Sequence, residues 1–420
     1  MSKKGWIVTL SGMGLNLALG VLYAWSVFGK QFTESIQNGG FEWTKTQASL
    51  PYTIAIAFFA LIMVPAGRLQ DKIGPRLVAT LGALFTGIGL IITSFATPEN
   101  IMPAIIGFGV FAGTGFGLGY AAATPAAVKW FPPEKKGLIT GIVVSGFGLA
   151  PVYIAPLSKY LLSNFGISKS FLILGISFTI ITTILCQFIK NPDKPLFIVK
   201  NNGNGSTLKT DFNWKEMIKT PTFYFLWLEY AFAATAGLMI IGHLAKIVAV
   251  QSNNTIKIGF MFVALLAIFN AFGRIAAGII SDKIGRIKTI FLVCMSQAIV
   301  MFFFSSFNSI TTFIIGSAIV GFSYGSCLSV FPSTTADFWG TKNLGMNYGI
   351  MFTAWGVGGV FGPLLAGKIA DISGSYNSAY LISSALMILA SAMTFLTKAP
   401  KKVYITAVEP IEVTRETQTN

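Results

Sequence analysis

A single arginine, Arg274, stands in the otherwise apolar stretch AIFNAFGRIAAGIISDKIGR at positions 267–286. A guanidinium is permanently charged, and its paired N–H donors match a carboxylate in two parallel hydrogen bonds. Asn270 lies one helical turn earlier on the same face, where it can orient the guanidinium or donate to a ligand but cannot neutralise the charge. Together the two residues predict a binding site for a carboxylate anion.

The charge of Arg274 has one competing explanation within the protein. Almost all of the 15 Asp and Glu residues fall in loops or at the ends of apolar segments, and Glu229 is the main exception. A static Arg274–Glu229 ion pair would then join two helices. We favour an anionic substrate, because Glu229 should lie closer to the end of its helix than Arg274 does.

His243, in GLMIIGHLAK, is the only histidine of the chain. A lone histidine on an apolar face often serves packing alone, but in a membrane span its ring needs a cavity or a partner. An imidazole titrates near neutral pH and suits proton exchange. His243 is our first candidate for a proton-coupling group, and Glu229 is the second.

The composition indicates whether these residues are surrounded by water or by lipid. Apolar residues make up 53% of the 420 and charged ones 11%, with a mean hydropathy of +0.69, whereas soluble domains carry about 25% charged residues. Windows of about 20 apolar residues can each cross a membrane as a helix. They start near residues 6, 46, 76, 101, 138, 168, 221, 256, 287, 309, 345 and 376. We therefore predict an all-α membrane protein with twelve transmembrane helices.

The net charge of +15 follows from the orientation of these helices. If both termini and every second loop lie on one side, that side holds 22 of the 30 Lys and Arg residues. Basic loops stay in the cytoplasm. We expect a multi-pass protein of the cell (inner or plasma) membrane with both termini cytoplasmic, a lipid bilayer around it and no nucleic-acid partner.

The chain divides into two related halves. The polar segment 191–220 separates an N-terminal six-helix bundle, 1–190, from a C-terminal one, 221–400, and a cytoplasmic tail follows at 401–420. GRLQDKIGPR after the second span is repeated as GIISDKIGRIK after the eighth. We interpret this repeat as a conformational latch, in which Gly67, Asp71 and Gly74 correspond to Gly278, Asp282 and Gly285. Each copy also holds an arginine after its last glycine, Arg76 in the first and Arg286 in the second. A duplicated membrane protein is the simplest explanation.

This doubled loop resembles the signature of the major facilitator superfamily. GVLYAWSVFGKQF, GLMIIGHLAK and FGRIAAGIISDKIGR more narrowly resemble the oxalate/formate antiporter family and its bacterial monocarboxylate (lactate) transporter relatives. The resemblance implies two pseudo-symmetric six-helix bundles and a cavity lined by helices 1, 4 and 10, and it places a cavity histidine at His243. Tyr23, Tyr120 and Tyr324 stand in those three helices and would offer hydroxyl groups to a small acid, although packing between helices is the ordinary role of such rings.

In helix 11 the sequence departs from the oxalate-exchanging member of that family. That protein has a second intramembrane cation, a lysine, where this chain has Trp355. A dianion beside one cation would keep an uncompensated buried charge, which is costly. Trp355 would supply an apolar wall, so we expect a monocarboxylate to be preferred.

These observations favour a monomeric secondary transporter of small monocarboxylates such as lactate, pyruvate or formate. Proton symport by alternating access is the expected mechanism, and a carboxylate antiporter is the alternative. A non-transporting sensor is a remote one, because no large soluble domain is present. We expect no enzyme, cofactor or metal site, since one histidine and no pair of intramembrane carboxylates leave little for catalysis.

Overall fold

A computed structural model of the chain describes residues 3–193, 206–209, 211–256, 258–400 and 403–406. The predicted linker 191–220 and tail 401–420 therefore lie partly outside the described residues. Where they are described, the linker strand β1 (Ser206–Lys209) pairs antiparallel with the tail strand β2 (Val403–Thr406). The rest of the described chain is almost entirely helical.

Six helices, α1 to α6, precede the linker. Helix α1 (Lys3–Leu19) continues through a 3-10 turn (Gly20–Ala24) into Trp25–Thr33, and α4 consists of Met102–Ala104, the π-helical segment Ile105–Ala112 and Gly113–Val128. One helical stretch, Lys136–Cys186, is broken at Gly166, whose φ of 73° only glycine adopts readily. It divides into α5 (136–165) and α6 (167–186). The other two helices are α2 (Lys45–Ile73) and α3 (Pro75–Thr93).

Six further helices follow the linker and a short helix at Trp214–Met217. They are α7 (Pro221–Gln251), α8 (Gly259–Ile284), α9 (Arg286–Phe303), α10 (Ile310–Trp339), α11 (Leu344–Ser373) and α12 (Asn377–Met393). In the described chain, ten helical segments are long and apolar enough to cross a membrane. One of the ten holds both α5 and α6, and α12 is an additional apolar helix of 17 residues. The predicted all-α fold is confirmed, and the helices agree with a twelve-helix arrangement.

The two halves meet along two related helix pairs, α2 against α11 and α5 against α8. Both contacts begin at the side of the bundle where α2 and α8 end and where α5 and α11 begin, which we call the latch face. Glycines make the approach possible there. A Cβ added to Gly67 or Gly345 would overlap the backbone of the other residue, and the same holds for Gly137 and Gly278. Backbones without side chains can pack at this distance.

The end of the linker is attached to the latch face. The N–H of Phe212 donates to the carbonyl of Trp339 at 2.9 Å, and its own carbonyl accepts from the side chains of Asn343 and Asn347 at 3.1 and 3.0 Å. The carboxylate of Asp211 accepts the backbone N–H of Lys342, in the loop between α10 and α11, at 3.0 Å. The linker thus holds the first turn of α11, the helix that faces α2 across the two halves.

We predict that Gly345→Ala lowers the stability of the purified protein, whereas Gly359→Ala does not. A Cβ at Gly345 would lie 2.5 Å from the carbonyl oxygen of Gly67, while one at Gly359 meets no atom closer than 3.4 Å. Overpacking of this kind costs about 1–3 kcal/mol, and alanine otherwise favours a helix over glycine by about 1 kcal/mol. Thermal unfolding in detergent micelles measures the difference. Equal midpoints for the two variants would show that the α2–α11 approach tolerates a side chain.

Candidate functional site

A small cavity of about 10 Å³, roughly the room that one water molecule needs, lies between the two halves. Helices α1, α2, α4 and α5 of the first half contribute to it, as do α8, α10 and α11 of the second. Its walls are largely aromatic, and Arg274 is the charged residue among them. The lining residues are Tyr23, Phe59, Tyr120, Phe147, Arg274, Leu328, Phe352 and Trp355.

The guanidinium of Arg274 is fully buried and has only neutral partners. Its Nε donates to Oδ1 of Asn270 at 2.9 Å, and its Nη1 donates to the carbonyl oxygen of Val144 at 2.5 Å. Nη2 has no hydrogen-bond partner among the residues that the structure describes. None of the ion pairs formed by the described residues includes Arg274. An anion is therefore the ligand that this part of the cavity can best accommodate.

Local sequence explains how the guanidinium reaches the seam between the halves. Asn270 and Arg274 are four residues apart on α8, so their side chains share one face of the helix. Two glycines of α5 let α8 come close. A Cβ at Gly148 would lie 3.0 Å from Nε of Arg274, and one at Gly141 would overlap the carbonyl of Arg274. The substrate-binding candidate thus belongs to one half and is bonded to a backbone carbonyl of the other.

Glu229 lies away from the cavity. Its Oε1 accepts the hydroxyl of Thr397 at 2.5 Å, just beyond the end of α12, and its Oε2 has no hydrogen-bond partner. The competing Arg274–Glu229 ion pair is therefore not formed in this structure. Glu229 is a buried carboxyl group in the first turns of α7, the part of the helix that follows the linker.

His243 does not line the cavity either. Its Nε2 lies 3.0 Å from the carbonyl oxygen of Pro363 in α11, and its Nδ1 lies 3.3 Å from the hydroxyl of Tyr376. The ring therefore bridges α7, α11 and the α11–α12 loop, on the side opposite the latch face. A proton on His243 would act on this helix contact, at a distance from Arg274.

The three predicted tyrosines occupy different positions. Tyr23 and Tyr120 line the cavity, and the buried hydroxyl of Tyr120 makes no hydrogen bond of ordinary length in the described structure. Tyr324 is not among the lining residues. Its hydroxyl lies 2.7 Å from Nε1 of Trp355 and 3.3 Å from the hydroxyl of Tyr23.

Trp355 lines the cavity and, through its indole N–H, also has a polar contact. Its ring stacks on Phe352 with 4.8 Å between the ring centroids. Sequence reasoning did not identify Phe59, Phe147, Leu328 or Phe352, since nothing in their spacing separates them from ordinary packing residues. It also missed Val144, which contributes its backbone carbonyl oxygen to the site.

On the latch face, Asp282 binds the other half of the bundle. Its two carboxylate oxygens accept the N–H groups of Gly137 and Leu138, each at 2.9 Å, at the start of α5. Arg286 lies 2.7 Å from Asp282 and also 2.7 Å from Asp337. Asp337 in turn pairs with Lys136 of the first half at 3.0 Å. The second copy of the repeated motif is therefore the centre of a charged network between the halves.

Asp71 makes the same backbone contacts in the first copy without that network. It accepts the N–H groups of Gly345 and Met346 at 3.2 and 2.8 Å, and Gln70 donates to it at 3.1 Å. Arg76 is exposed and, unlike Arg286, forms no ion pair in the described structure. Lys129 is the cation near Asp71.

Burial lowers the pKa of the Lys129 ammonium, and the carboxylates of Asp71 and Asp211 oppose that shift. Gly74 and Gly285 have φ angles of 91° and 97° between consecutive helices, a conformation that side chains disfavour. The glycines therefore permit the same turn in both halves, while the charged partners differ.

Comparison with known proteins identifies the family of this chain. The profile of the Major Facilitator Superfamily matches residues 5–305 and 255–416. The chain is 28% identical over 360 residues to the uncharacterized MFS-type transporter YhjX of Escherichia coli (strain K12), covering 85% of this chain and 86% of that one. It is 27% identical over 401 residues to the oxalate:formate antiporter of Oxalobacter formigenes, covering 94% and 91%. It is 23% identical over 398 residues to monocarboxylate transporter 13 of Rattus norvegicus, covering 93% and 88%.

Two solved structures have the same fold. The proton:xylose symporter XylE aligns with a TM-score of 0.70 and 12% identity, covering 94% of this chain and 96% of that one. The E. coli fucose:proton symporter FucP aligns with a TM-score of 0.65 and 13% identity, covering 91% and 98%. At this level of identity the likeness concerns the arrangement of the helices alone.

We predict that Asp282→Asn destabilises the protein more than Asp71→Asn does. Both variants weaken two bonds to helix N–H groups, but Asp282→Asn also removes a carboxylate from the buried Arg286. A hydrogen bond to a charged group is worth about 1.5–3 kcal/mol. Thermal unfolding measures both losses. Equal losses in the two variants would show that Arg286 adds nothing to the second copy of the latch.

Proposed function

The chain belongs to the Major Facilitator Superfamily, and from that premise we propose that it is a secondary transporter of small monocarboxylate anions. One observation carries the proposal. A fully buried arginine between the two halves keeps one N–H-bearing nitrogen without a partner, in a small cavity whose other walls carry no charge. A carboxylate would supply the missing acceptor and the missing negative charge.

The preference for a monoanion follows from the lining of the cavity. Arg274 can compensate one carboxylate, and the aromatic walls offer no cation to a second one. Burial of an uncompensated charge costs several kcal/mol, and ~3 kcal/mol corresponds to about a hundredfold in affinity. The rings of Phe59, Phe352 and Trp355 suit a short alkyl group, as in lactate or pyruvate, better than a second carboxylate.

Transport by alternating access is supported by the place of Arg274 in the bundle. Rocking of the two halves about a central site must separate α5 from α8 in one of the two states. The bond from Arg274 to the carbonyl of Val144 crosses that boundary. A substrate bound at Arg274 therefore acts where the two halves separate. The latch face, with the basic loops, would be cytoplasmic.

Proton coupling is the finer part of the proposal, and we assign it to His243. Its ring links α7 to the backbone of α11, the helix that also carries Trp355 in the cavity wall. Trp355 and Pro363 are eight residues apart, which is about 12 Å along a helix. Protonation would thus influence the cavity through α11 and not by direct contact with the substrate.

Arg274→Gln tests the site. We expect lactate uptake into proteoliposomes to fall about a hundredfold or more, since the variant loses the charge and its paired donors. Arg68→Gln, at an exposed position of α2, is the matched control and should transport normally. Thermal unfolding checks that both variants fold. Undiminished uptake by Arg274→Gln would refute the site.

His243→Gln tests the coupling. We expect an imposed pH gradient to drive lactate accumulation by the unmodified protein and to have no effect on this variant, whose amide cannot carry a proton. Exchange of labelled lactate at equal pH should persist. Glu229→Gln is the matched comparison. It should keep the response to the gradient, because Glu229 bonds to Thr397 beyond the end of α12 and not to α11, the helix that carries Trp355.

If Glu229→Gln abolished the response to the pH gradient and His243→Gln kept it, Glu229 would be the proton-coupling group. Oxalate uptake driven by formate counterflow, with no effect of the pH gradient on the unmodified protein, would favour the carboxylate antiporter instead.

A further inference from the structure

Three aromatic side chains from three helices form a chain of polar contacts that ends in the cavity. Nε1 of Trp355 in α11 lies 2.7 Å from the hydroxyl of Tyr324 in α10, and that hydroxyl lies 3.3 Å from the hydroxyl of Tyr23 in the 3-10 turn of α1. Trp355 and Tyr324 are both about 1% exposed. Tyr23 lines the cavity beside Arg274.

Chemistry fixes the direction of the first of these hydrogen bonds. An indole N–H can only donate, and when buried it needs an acceptor. The oxygen of Tyr324 therefore accepts from Trp355. Either hydroxyl can donate in the Tyr324–Tyr23 contact. We take Tyr324 as the donor, because its buried hydrogen then has an acceptor in Tyr23, and the hydrogen of Tyr23 is left for another acceptor.

We infer that Trp355 acts through Tyr324 to fix the hydroxyl of Tyr23 as a hydrogen-bond donor to the carboxylate of the substrate. This inference rests on the proposed function, because it assigns a role within the same site. Tyr23 is then the contact residue, while Trp355 and Tyr324 are positioning residues.

A consequence for selectivity follows from the direction of the chain. The substrate would meet the free Nη2 of Arg274 and the O–H of Tyr23, which are both donors. A carboxylate can accept from both, whereas an amide of the same shape presents N–H donors of its own. Lactate should therefore bind and lactamide should not. The lost attraction to the charge of Arg274 accounts for part of this difference, and the mismatch between N–H donors and the Tyr23 hydroxyl adds to it.

Trp355→Phe is the first test, because phenylalanine keeps an aromatic wall and removes the indole N–H. Isothermal titration of the purified protein with lactate should show affinity roughly three- to tenfold weaker, the equivalent of one ordinary hydrogen bond. Tyr324→Phe should give the same loss through the middle of the chain, and it replaces Trp355→Phe if that variant does not fold.

A double-mutant comparison separates positioning from packing. If Trp355 acts through Tyr23, the variant Trp355→Phe/Tyr23→Phe binds lactate no more weakly than Tyr23→Phe alone. Trp355→Phe combined with Tyr120→Phe should show additive losses, since Tyr120 is outside the chain. Additive losses for Trp355 and Tyr23 would overturn the inference.

Arg274→Gln distinguishes this outcome from failure of the proposed function. If that variant loses lactate binding while the Trp355 and Tyr23 losses add, only the hydrogen-bond chain is wrong. If Arg274→Gln binds lactate normally, the anion site itself is wrong.

Discussion

A permanent cation inside a membrane-spanning bundle must lie where neutral groups can hold it and an anion can reach it. Arg274 meets this constraint at the seam between the halves. Asn270 and the backbone of Val144 satisfy two of its nitrogens, and the third is buried without a hydrogen-bond partner among the described residues. The glycines of α5 follow from the same constraint, because a larger residue at Gly148 would occupy the space that the guanidinium needs. The neutral acceptors lower the cost of burial without cancelling the charge, so the affinity for an anion is retained.

The proposed substrate site and the second latch are built on the same pair of helices. On α8, Arg274 and Asp282 are eight residues apart, and their partners on α5, Val144 and Gly137, are seven apart. Each spacing is about 10–12 Å along a helix. Separation of α5 from α8 would therefore break both contacts in one movement. The first latch differs, because Asp71 lacks an arginine partner and α11 is held by the linker as well. The two seams have the same backbone geometry and different electrostatics.

Much of this architecture is readable from the sequence, since hydropathy, the repeated loop and the four-residue spacing of Asn270 and Arg274 are all local features. What the sequence does not contain is the lateral packing of helices. It could not show that Arg274 bonds to a backbone carbonyl, which any residue provides. It offered Tyr23, Tyr120 and Tyr324 alike as cavity candidates, whereas in the structure Tyr23 and Tyr120 line the cavity and Tyr324 contacts Tyr23 and Trp355. It likewise could not show that His243 and Glu229 lie outside the cavity, because depth along a helix does not fix which neighbour a side chain meets.

Trp355 connects charge selectivity with hydrogen bonding. A lysine in its place would add a second charge to the cavity and could compensate a dianion. The indole adds a dipole instead, and its N–H donates to Tyr324, so in the inferred hydrogen-bond chain its effect reaches the cavity through the hydroxyl of Tyr23. A dipole stabilises one carboxylate already paired with Arg274 but cannot offset the burial of another. An indole in place of a second cation would therefore favour a substrate with a single anionic group.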